Sequence, residues 1–298
     1  MTDRAPGGRF TAPDGTRLAY RELGTGDPLV CLPGGPMQDA GYLQDLGGLS
    51  SRHRLILLDP RGTGASAEPA DPTTYRCDRL VDDVEALRTH LGLQRMDLLG
   101  HSGGANLALL YAARHPDRVR RLLLVSGGLA AVGVAPSSTD RRAVASLRAT
   151  EAWFPEASAA LDSIAAGTAT AADWTALAPF GYGRWDADTR DHHAACDRAR
   201  NDEAATAYGS DGAFQPHETR AQLQQLDTPV LVLVGELDVN TPPRRAAELA
   251  RHLPRAEVII QPRAAHFPWL DDATAFVTSV NAFLAEAAGG GHTDPAHP

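Results

Sequence analysis

Short apolar runs alternate with longer stretches in which apolar residues recur every three or four positions. Short continuous runs are typical of strands buried in a parallel sheet, whereas the wider spacing is that of an amphipathic helix. The predicted strands cover residues 16–23, 29–32, 55–58, 96–99, 122–125, 229–234 and 258–260. The predicted helices of this pattern cover residues 78–91, 103–114, 244–253 and 272–287. The alternation predicts an α/β fold with a mostly parallel, doubly wound sheet.

The pattern changes between residues 129 and 215, where alanine is frequent and no clear strand run appears. This stretch also holds three of the four tryptophans. We predict that it forms a mostly helical cap, inserted after the strand at 122–125. The core is then expected at residues 1–128 and 216–288. Residues 289–298, which begin with three glycines, are expected to form a disordered tail.

The most informative motif is Gly100-His101-Ser102-Gly103-Gly104, which separates a predicted strand from a predicted helix. A Gly-x-Ser-x-Gly turn in this position holds a serine hydroxyl clear of the backbone, and its glycines let neighbouring backbones approach closely. We therefore predict that Ser102 is a nucleophile. The N–H of Gly103 is predicted to be one donor of an oxyanion hole, because the first amides of a helix lack partners within it.

The sequence LLGHSGGANLALLYAARHPDRVRRLLLV, which starts at Leu98, resembles the corresponding region of the α/β-hydrolase fold. Within that fold it is most similar to the proline iminopeptidase-like branch. The resemblance extends from about residue 10 to residue 287 and is weakest in the middle. It implies that the loop Pro33-Gly34-Gly35-Pro36 supplies the second oxyanion amide, from Gly35. The family has a histidine where this chain has Pro33, which leaves the rigidity of the loop open.

A serine nucleophile needs a base and an acid that orients the base. Asp238 and His266 each follow a predicted strand, and the loops after parallel strands emerge at one edge of the sheet. The chain order Ser102, Asp238, His266 is also the order that α/β-hydrolases use. Glu236 is the nearest rival to Asp238, but we expect it to lie still on the end of its strand. We predict a Ser-His-Asp triad of these three residues.

Composition excludes several other functions. The net charge of −9 argues against a nucleic acid or an anionic membrane as partner. The chain contains no lysine, which excludes Schiff-base, pyridoxal phosphate and Walker A chemistry. The three cysteines are far apart, and no further metal ligands stand at a suitable spacing from His192 and His193, so we expect no metal site. The chemistry predicted for the serine needs no other cofactor, and we expect none.

The N-terminus has no apolar signal core, so we predict a cytoplasmic protein. From the predicted triad we expect an enzyme that acts on a small-molecule substrate. The sequence does not indicate an oligomeric state. The favoured function is hydrolysis of an ester, lactone or thioester of a small to medium hydrophobic substrate, through an acyl-enzyme. The alternative implied by the resemblance is a proline iminopeptidase-like aminopeptidase or amidase. A non-catalytic, ligand-binding member of the fold is the third hypothesis.

The predicted cap supplies candidates for substrate binding. Trp153, Trp174 and Trp185 are candidates for the wall of an apolar pocket, although each could instead belong to the core of the cap. An aminopeptidase would need a carboxylate for the substrate ammonium group. Asp186, Glu203 and the neighbouring Asp202 are the candidates for that role, and solvated helix faces explain these acids equally well.

Overall fold

Between residues 7 and 286, eight strands form a single sheet with helices on both faces. The computed structural model describes residues 7–286, so the predicted tail at 289–298 lies outside the described residues. The strands are β1 (Gly7–Thr11), β2 (Arg17–Leu23), β3 (Asp27–Leu32), β4 (His53–Asp59), β5 (Met96–His101), β6 (Val119–Val125), β7 (Val230–Gly235) and β8 (Ala256–Gln261). Their order in the sheet is β1-β2-β4-β3-β5-β6-β7-β8.

The sheet is mostly parallel, as the sequence predicted. β2 runs antiparallel to both of its neighbours, β1 and β4. The pairs from β4 through β3, β5, β6 and β7 to β8 are all parallel. Consequently β3, β5, β7 and β8 all end at the same edge of the sheet, and the loops that follow them can meet there.

The helices follow the strands as the alternation predicted. They are α1 (Cys77–His90), α2 (Gly103–Arg114), α3 (Ser138–Ala145), α4 (Phe154–Ala166), α5 (Ala171–Ala176), α6 (Ala187–Arg198), α7 (Asp202–Tyr208), α8 (Pro216–Leu223), α9 (Pro243–Ala250), α10 (Pro268–Asp271) and α11 (Ala273–Glu286). Short 3-10 helices occur in the connections, among them Ala40–Leu43 after β3, Ser146–Arg148 after α3 and Ala178–Gly181 after α5.

The hydrophobic core lies on both faces of the sheet. On one face, Val30 of β3 joins a cluster that contains residues of α1, α2 and α9. On the other face, Leu29 of the same strand joins a cluster that contains Phe276 and Val280 of α11. Because the central strands are covered on both faces, nearly all their residues are buried, which explains the continuous apolar runs in the sequence.

Residues 126–229 connect β6 to β7 and are helical, with α3 to α8 in chain order. We refer to residues 129–215 as the cap, the unit that the sequence analysis predicted. The segment after α6 contacts the loop that follows β3. Asn201 N–H donates to the carbonyl of Met37 at 2.9 Å, and Asp39 N–H donates to the carbonyl of Ala199 at 3.1 Å. The helical segment is thus bonded to the same edge of the sheet at which β5 ends.

Candidate active site

Ser102 lies in a strained turn between β5 and α2. Its backbone has φ of 51° and ψ of −121°, which is rare for a residue other than glycine. The glycines on either side permit this turn. A Cβ at Gly100 would lie 2.6 Å from the carbonyl oxygen of Gly104, and one at Gly104 would lie 2.3 Å from that of Leu32. The crowding predicted from the motif is therefore present, and the turn leaves Ser102 partly exposed.

The structure brings the three predicted triad residues together. His266 Nε2 lies 2.9 Å from Ser102 Oγ, and His266 Nδ1 lies 3.0 Å from Asp238 Oδ2. The other carboxylate oxygen of Asp238 accepts the backbone N–H groups of Asn240 and Thr241, each at 2.9 Å. Because an ionised carboxylate can only accept, His266 Nδ1 carries the proton towards Asp238, and Nε2 is left to accept the hydroxyl proton.

The Asp238 carboxyl is ionised although it is completely buried. Burial by itself raises its pKa, but the neighbouring His266 imidazole and the Thr241 amide outweigh burial and hold the pKa below its usual value. Glu236, the rival acid, lies just beyond the end of β7 and points elsewhere. It accepts the backbone N–H of Arg263 at 2.9 Å and is exposed.

Close packing joins the loops that carry Asp238 and His266. A Cβ at Gly235, the last residue of β7, would lie 2.2 Å from the carbonyl oxygen of Ala265 and 2.3 Å from that of Ala264. In addition, Leu237 N–H donates to the carbonyl of Ala264 at 2.8 Å. The absence of a side chain at position 235 thus allows the acid loop and the histidine loop to lie against each other.

Two backbone amides near Ser102 are the candidate oxyanion donors. Gly103 is the first residue of α2, so its N–H has no partner within the helix. Gly35 has φ of 110°, and in the part of the chain that the structure describes its N–H meets no hydrogen-bond acceptor. The loop lies directly against the nucleophile, because a Cβ at Gly34 would come within 2.6 Å of Ser102 Cβ.

A buried hydrogen-bond network, which the sequence analysis did not identify, lies behind the Gly34 and His266 loops. Gly34 N–H donates to Tyr42 Oη at 2.7 Å, and Tyr42 Oη lies 2.6 Å from His101 Nδ1. His101 Nε2 in turn lies 2.9 Å from the carbonyl oxygen of His266. The only signal in the sequence was the position of His101 beside the nucleophile; nothing in the local pattern pointed to Tyr42.

Trp153 packs in the cap close to the acid loop. Its ring meets that of Phe180 edge-on, with centroids 5.0 Å apart, and the Arg148 guanidinium lies 4.6 Å from its ring centre. Trp153 packs against a cluster that also contains Val239, the residue after Asp238. Of the three tryptophan candidates, Trp153 is therefore the one that packs against a cluster containing a chain neighbour of Asp238.

The other two tryptophans are placed differently. Trp185 packs on Tyr182, with ring centroids 5.5 Å apart, and Tyr182 stacks on Phe267 at 4.9 Å, next to His266. Trp185 thus reaches the histidine loop through one intervening ring, that of Tyr182. Trp174 lies on α5 with 61 % of its surface exposed, so most of its ring faces solvent instead of enclosing a ligand.

The candidate acids of the cap have structural roles or are exposed. Asp186 caps α6: its Oδ1 accepts Thr189 N–H at 3.1 Å, while Oδ2 accepts Arg184 Nε at 2.7 Å. These contacts explain why an aspartate stands at position 186 without any bound ligand. Asp202 and Glu203 lie exposed in the first turn of α7, where acidic residues favour the helix dipole.

Two further features concern metal binding and the membrane. Within residues 7–286, no group of three or more histidine, cysteine, aspartate or glutamate side chains is arranged to hold a metal ion. His192 instead bonds to Tyr182 Oη at 2.9 Å and to the carbonyl of Tyr42 at 3.1 Å. Over the same residues, no helix has both the length and the apolar character needed to cross a bilayer.

Comparison with known proteins places the chain in a family. Residues 27–273 match the model of the alpha/beta hydrolase fold. A proline iminopeptidase from Lactiplantibacillus plantarum is 26 % identical over 283 residues, which cover 91 % of this chain and 98 % of the relative. Several other curated relatives match over a much smaller part of their length; this chain spans 42 % of one of them.

Solved structures agree on the fold. Proline iminopeptidase from Mycobacterium smegmatis has a TM-score of 0.73 at 24 % identity, covering 95 % of this chain and 98 % of that one. A thermophilic esterase from Thermogutta terrifontis has a TM-score of 0.67 at 24 % identity, covering 95 % and 99 %. The family match extends from β3 to the start of α11 and includes Ser102, Asp238 and His266. The chain therefore belongs to the α/β-hydrolase fold family, with the resemblance to proline iminopeptidases that its sequence predicted.

Proposed function

We propose that this α/β-hydrolase fold enzyme is a serine hydrolase that cleaves an ester, lactone or thioester of a small to medium hydrophobic substrate. The observation that carries the proposal is the position of the His266 imidazole, 2.9 Å from Ser102 Oγ and 3.0 Å from Asp238 Oδ2. A base in this position can take the hydroxyl proton, and a buried carboxylate behind it stabilises the imidazolium that forms.

In the first half-reaction, Ser102 Oγ attacks the substrate carbonyl carbon while its proton passes to His266 Nε2. The C–O or C–S bond to the leaving group then breaks, and His266 Nε2 returns the proton to that group. The acyl group is left as an ester on Ser102. In the second half-reaction, a water molecule attacks the acyl carbon while one of its protons passes to His266 Nε2. The bond from that carbon to Ser102 Oγ then breaks, the proton passes to Ser102 Oγ, and the carboxylic acid leaves.

Charge on the carbonyl oxygen is stabilised by the amides of Gly35 and Gly103. Both lie beside Ser102, and neither N–H has a partner in secondary structure. The positive end of the α2 dipole adds to the effect at Gly103. By analogy with oxyanion donors studied by mutagenesis, losing one such amide costs roughly 2.7–4 kcal/mol of transition-state stabilisation.

An apolar acyl or alcohol group is expected to lie under the cap. The cluster around Phe180, Leu161 and Val239 borders the acid loop and is lined further by Trp153. A surface of this kind excludes water from the reacting centre and favours hydrophobic substrates. We propose Trp153 as its most important tryptophan, with Trp185 behind it and the exposed Trp174 contributing least.

A proline iminopeptidase-like activity is the second candidate, and the nearly full-length alignment with such an enzyme favours it. That activity requires a carboxylate to bind the substrate ammonium group. Of the acids named for this role, Asp186 caps α6 and accepts a hydrogen bond from Arg184. Asp202 and Glu203 are exposed to solvent. Ester hydrolysis makes no such demand, so we place it first.

The experiment that separates the hypotheses compares turnover of p-nitrophenyl esters of increasing acyl length with turnover of proline p-nitroanilide. The proposal predicts that kcat/KM for the best ester exceeds that for the anilide, and that both activities depend on Ser102. A preference for the anilide would establish the peptidase instead. A protein that turns over neither substrate and does not react with a fluorophosphonate would be a non-catalytic member of the fold.

A further inference from the structure

The loop that carries Gly35 lacks the side chain that the resembled family uses there. Pro33 has no N–H and no polar side-chain atom, so it cannot form a side-chain hydrogen bond that holds the loop. The following residue is nevertheless fixed on both sides. Gly34 N–H donates to Tyr42 Oη at 2.7 Å, and the Gly34 carbonyl accepts Gln38 N–H at 3.2 Å.

The bond to Tyr42 continues into the core of the site. Tyr42 lies in the 3-10 helix Ala40–Leu43 and is 5 % exposed, and His101, at the end of β5, is 1 % exposed. Tyr42 Oη lies 2.6 Å from His101 Nδ1, and His101 Nε2 lies 2.9 Å from the carbonyl oxygen of His266. Two buried side chains thus join the oxyanion loop to the backbone of the catalytic histidine.

One arrangement of protons satisfies the whole network. The carbonyl of His266 can only accept, so His101 Nε2 must carry a hydrogen. Neutral His101 then presents a lone pair at Nδ1, which accepts the Tyr42 hydroxyl, and Tyr42 Oη remains free to accept Gly34 N–H. Burial, together with the nearby His266, holds the pKa of His101 well below its ordinary value, in keeping with this neutral tautomer.

We propose that Tyr42 and His101 are positioning residues that hold the Gly35 amide and His266 in fixed positions relative to Ser102. Gly34 and Gly35 share a planar peptide unit, so holding Gly34 at its N–H and its carbonyl also sets the direction of the Gly35 N–H. At the other end of the network, the bond to the His266 carbonyl holds the residue whose imidazole faces Ser102. These hydrogen bonds take over the role of the histidine that is absent at position 33. The proposed positioning role rests on the proposed hydrolase function.

The test is Tyr42→Phe, with Tyr111→Phe as the matched control. Tyr111 of α2 is also buried, and its hydroxyl donates to Glu85 Oε2 of α1 at 2.7 Å, so neither partner belongs to the oxyanion loop or the histidine loop. Because a small displacement of a transition-state donor is costly, we expect Tyr42→Phe to lower kcat for an ester by about 10²-fold. We expect KM to stay within about twofold of wild type in both variants, and Tyr111→Phe to keep kcat.

A second readout does not depend on catalysis. Hydrogen exchange followed by mass spectrometry should show faster exchange in the peptide that covers residues 32–38 in Tyr42→Phe, and wild-type exchange there in Tyr111→Phe. Equal kcat values in the two variants, or equal exchange in this peptide, would overturn the proposal. If the wild-type protein fails to hydrolyse esters, the proposed function fails, while the exchange experiment still decides whether Tyr42 holds the loop.

Discussion

The backbone N–H of His266 donates a hydrogen bond to the carbonyl oxygen of Gly181, at 3.1 Å, so a residue of the cap holds the proposed catalytic base directly. The Asp271 side chain bonds to both the histidine loop and the cap. Its Oδ2 accepts Ala265 N–H at 2.7 Å, and its Oδ1 accepts Gly183 N–H at 2.8 Å. The histidine loop and the cap are therefore connected by one shared carboxylate as well as by a direct backbone bond.

Removing this carboxylate should loosen both segments. We expect Asp271→Ala to lower the free energy of unfolding by about 2–4 kcal/mol, because two backbone N–H groups lose their acceptor. Asp271→Asn keeps one acceptor oxygen and should lose about half as much. Urea unfolding of the three proteins measures the effect. A change below about 0.5 kcal/mol in Asp271→Ala would show that the junction does not depend on this side chain.

The sequence predicted how the triad residues would be placed, because their placement follows from the topology of the sheet. Parallel strands end at one edge, so Ser102, Asp238 and His266 could be expected to meet whatever their separation along the chain. The structure places them within hydrogen-bond distance. The chemical roles of the three residues and the extent of the cap were inferred from the same pattern, and they stay predictions.

Features that depend on contacts between distant segments were missed. β1 is short and begins with two glycines, and it is a strand only because it pairs with β2. Tyr42 is fixed by partners from two other loops, which no local pattern indicates. Asp186 was different, because an aspartate three residues before Thr189 is a recognisable helix cap, and that signal could have explained it from sequence alone.

The identity of the triad acid can be tested by paired substitutions. We expect Asp238→Asn to lower kcat by roughly 10⁴-fold, because an amide in this position favours the wrong tautomer of His266. Glu236→Gln alters an exposed side chain bonded to Arg263 N–H and should leave kcat within about threefold of wild type. Steady-state kinetics on one p-nitrophenyl ester suffices. A larger loss in Glu236→Gln than in Asp238→Asn would assign the acid role to Glu236.

The proposed apolar wall predicts that the tryptophans differ in importance. Trp153→Ala should shift the preferred acyl length of p-nitrophenyl esters and change kcat/KM for the best ester by about tenfold or more, since the ring packs against the cluster that contains Val239. Trp174→Ala, at a position 61 % exposed, is the control and should keep the wild-type preference. The same shift in both variants, or in neither, would contradict the assignment of Trp153.

Acid should weaken the connection between α3 and α9. Asp140 Oδ2 accepts the Ser137 hydroxyl at 2.6 Å and Arg245 Nε at 2.8 Å. The Ser137 bonds and Arg245 lower the pKa of Asp140 to about 2, from an ordinary 3.8. A carboxylate with a lowered pKa stabilises the fold above its unfolded-state pKa, and this contribution is lost as the pH falls towards the folded-state value.

We therefore expect Asp140→Asn to be less stable than wild type by about 1–2 kcal/mol at neutral pH. The difference should close as the pH falls from about 4 to about 2. Asp162→Asn, which removes an exposed ion pair with Arg142, is the control and should cost less than about 1 kcal/mol at any pH. A difference between wild type and Asp140→Asn that stays constant down to pH 2 would contradict the linkage.

Labelling of Ser102 tests the central claim most directly. We expect a fluorophosphonate to add one phosphonyl group per chain, located by peptide mass spectrometry on Ser102, and to abolish ester hydrolysis in proportion. Ser102→Ala should keep the wild-type melting temperature, resist labelling and lose about 10⁶-fold in kcat. A phosphonyl group on another residue, or a Ser102→Ala variant that keeps a tenth of the wild-type activity, would contradict the assignment of Ser102 as the nucleophile.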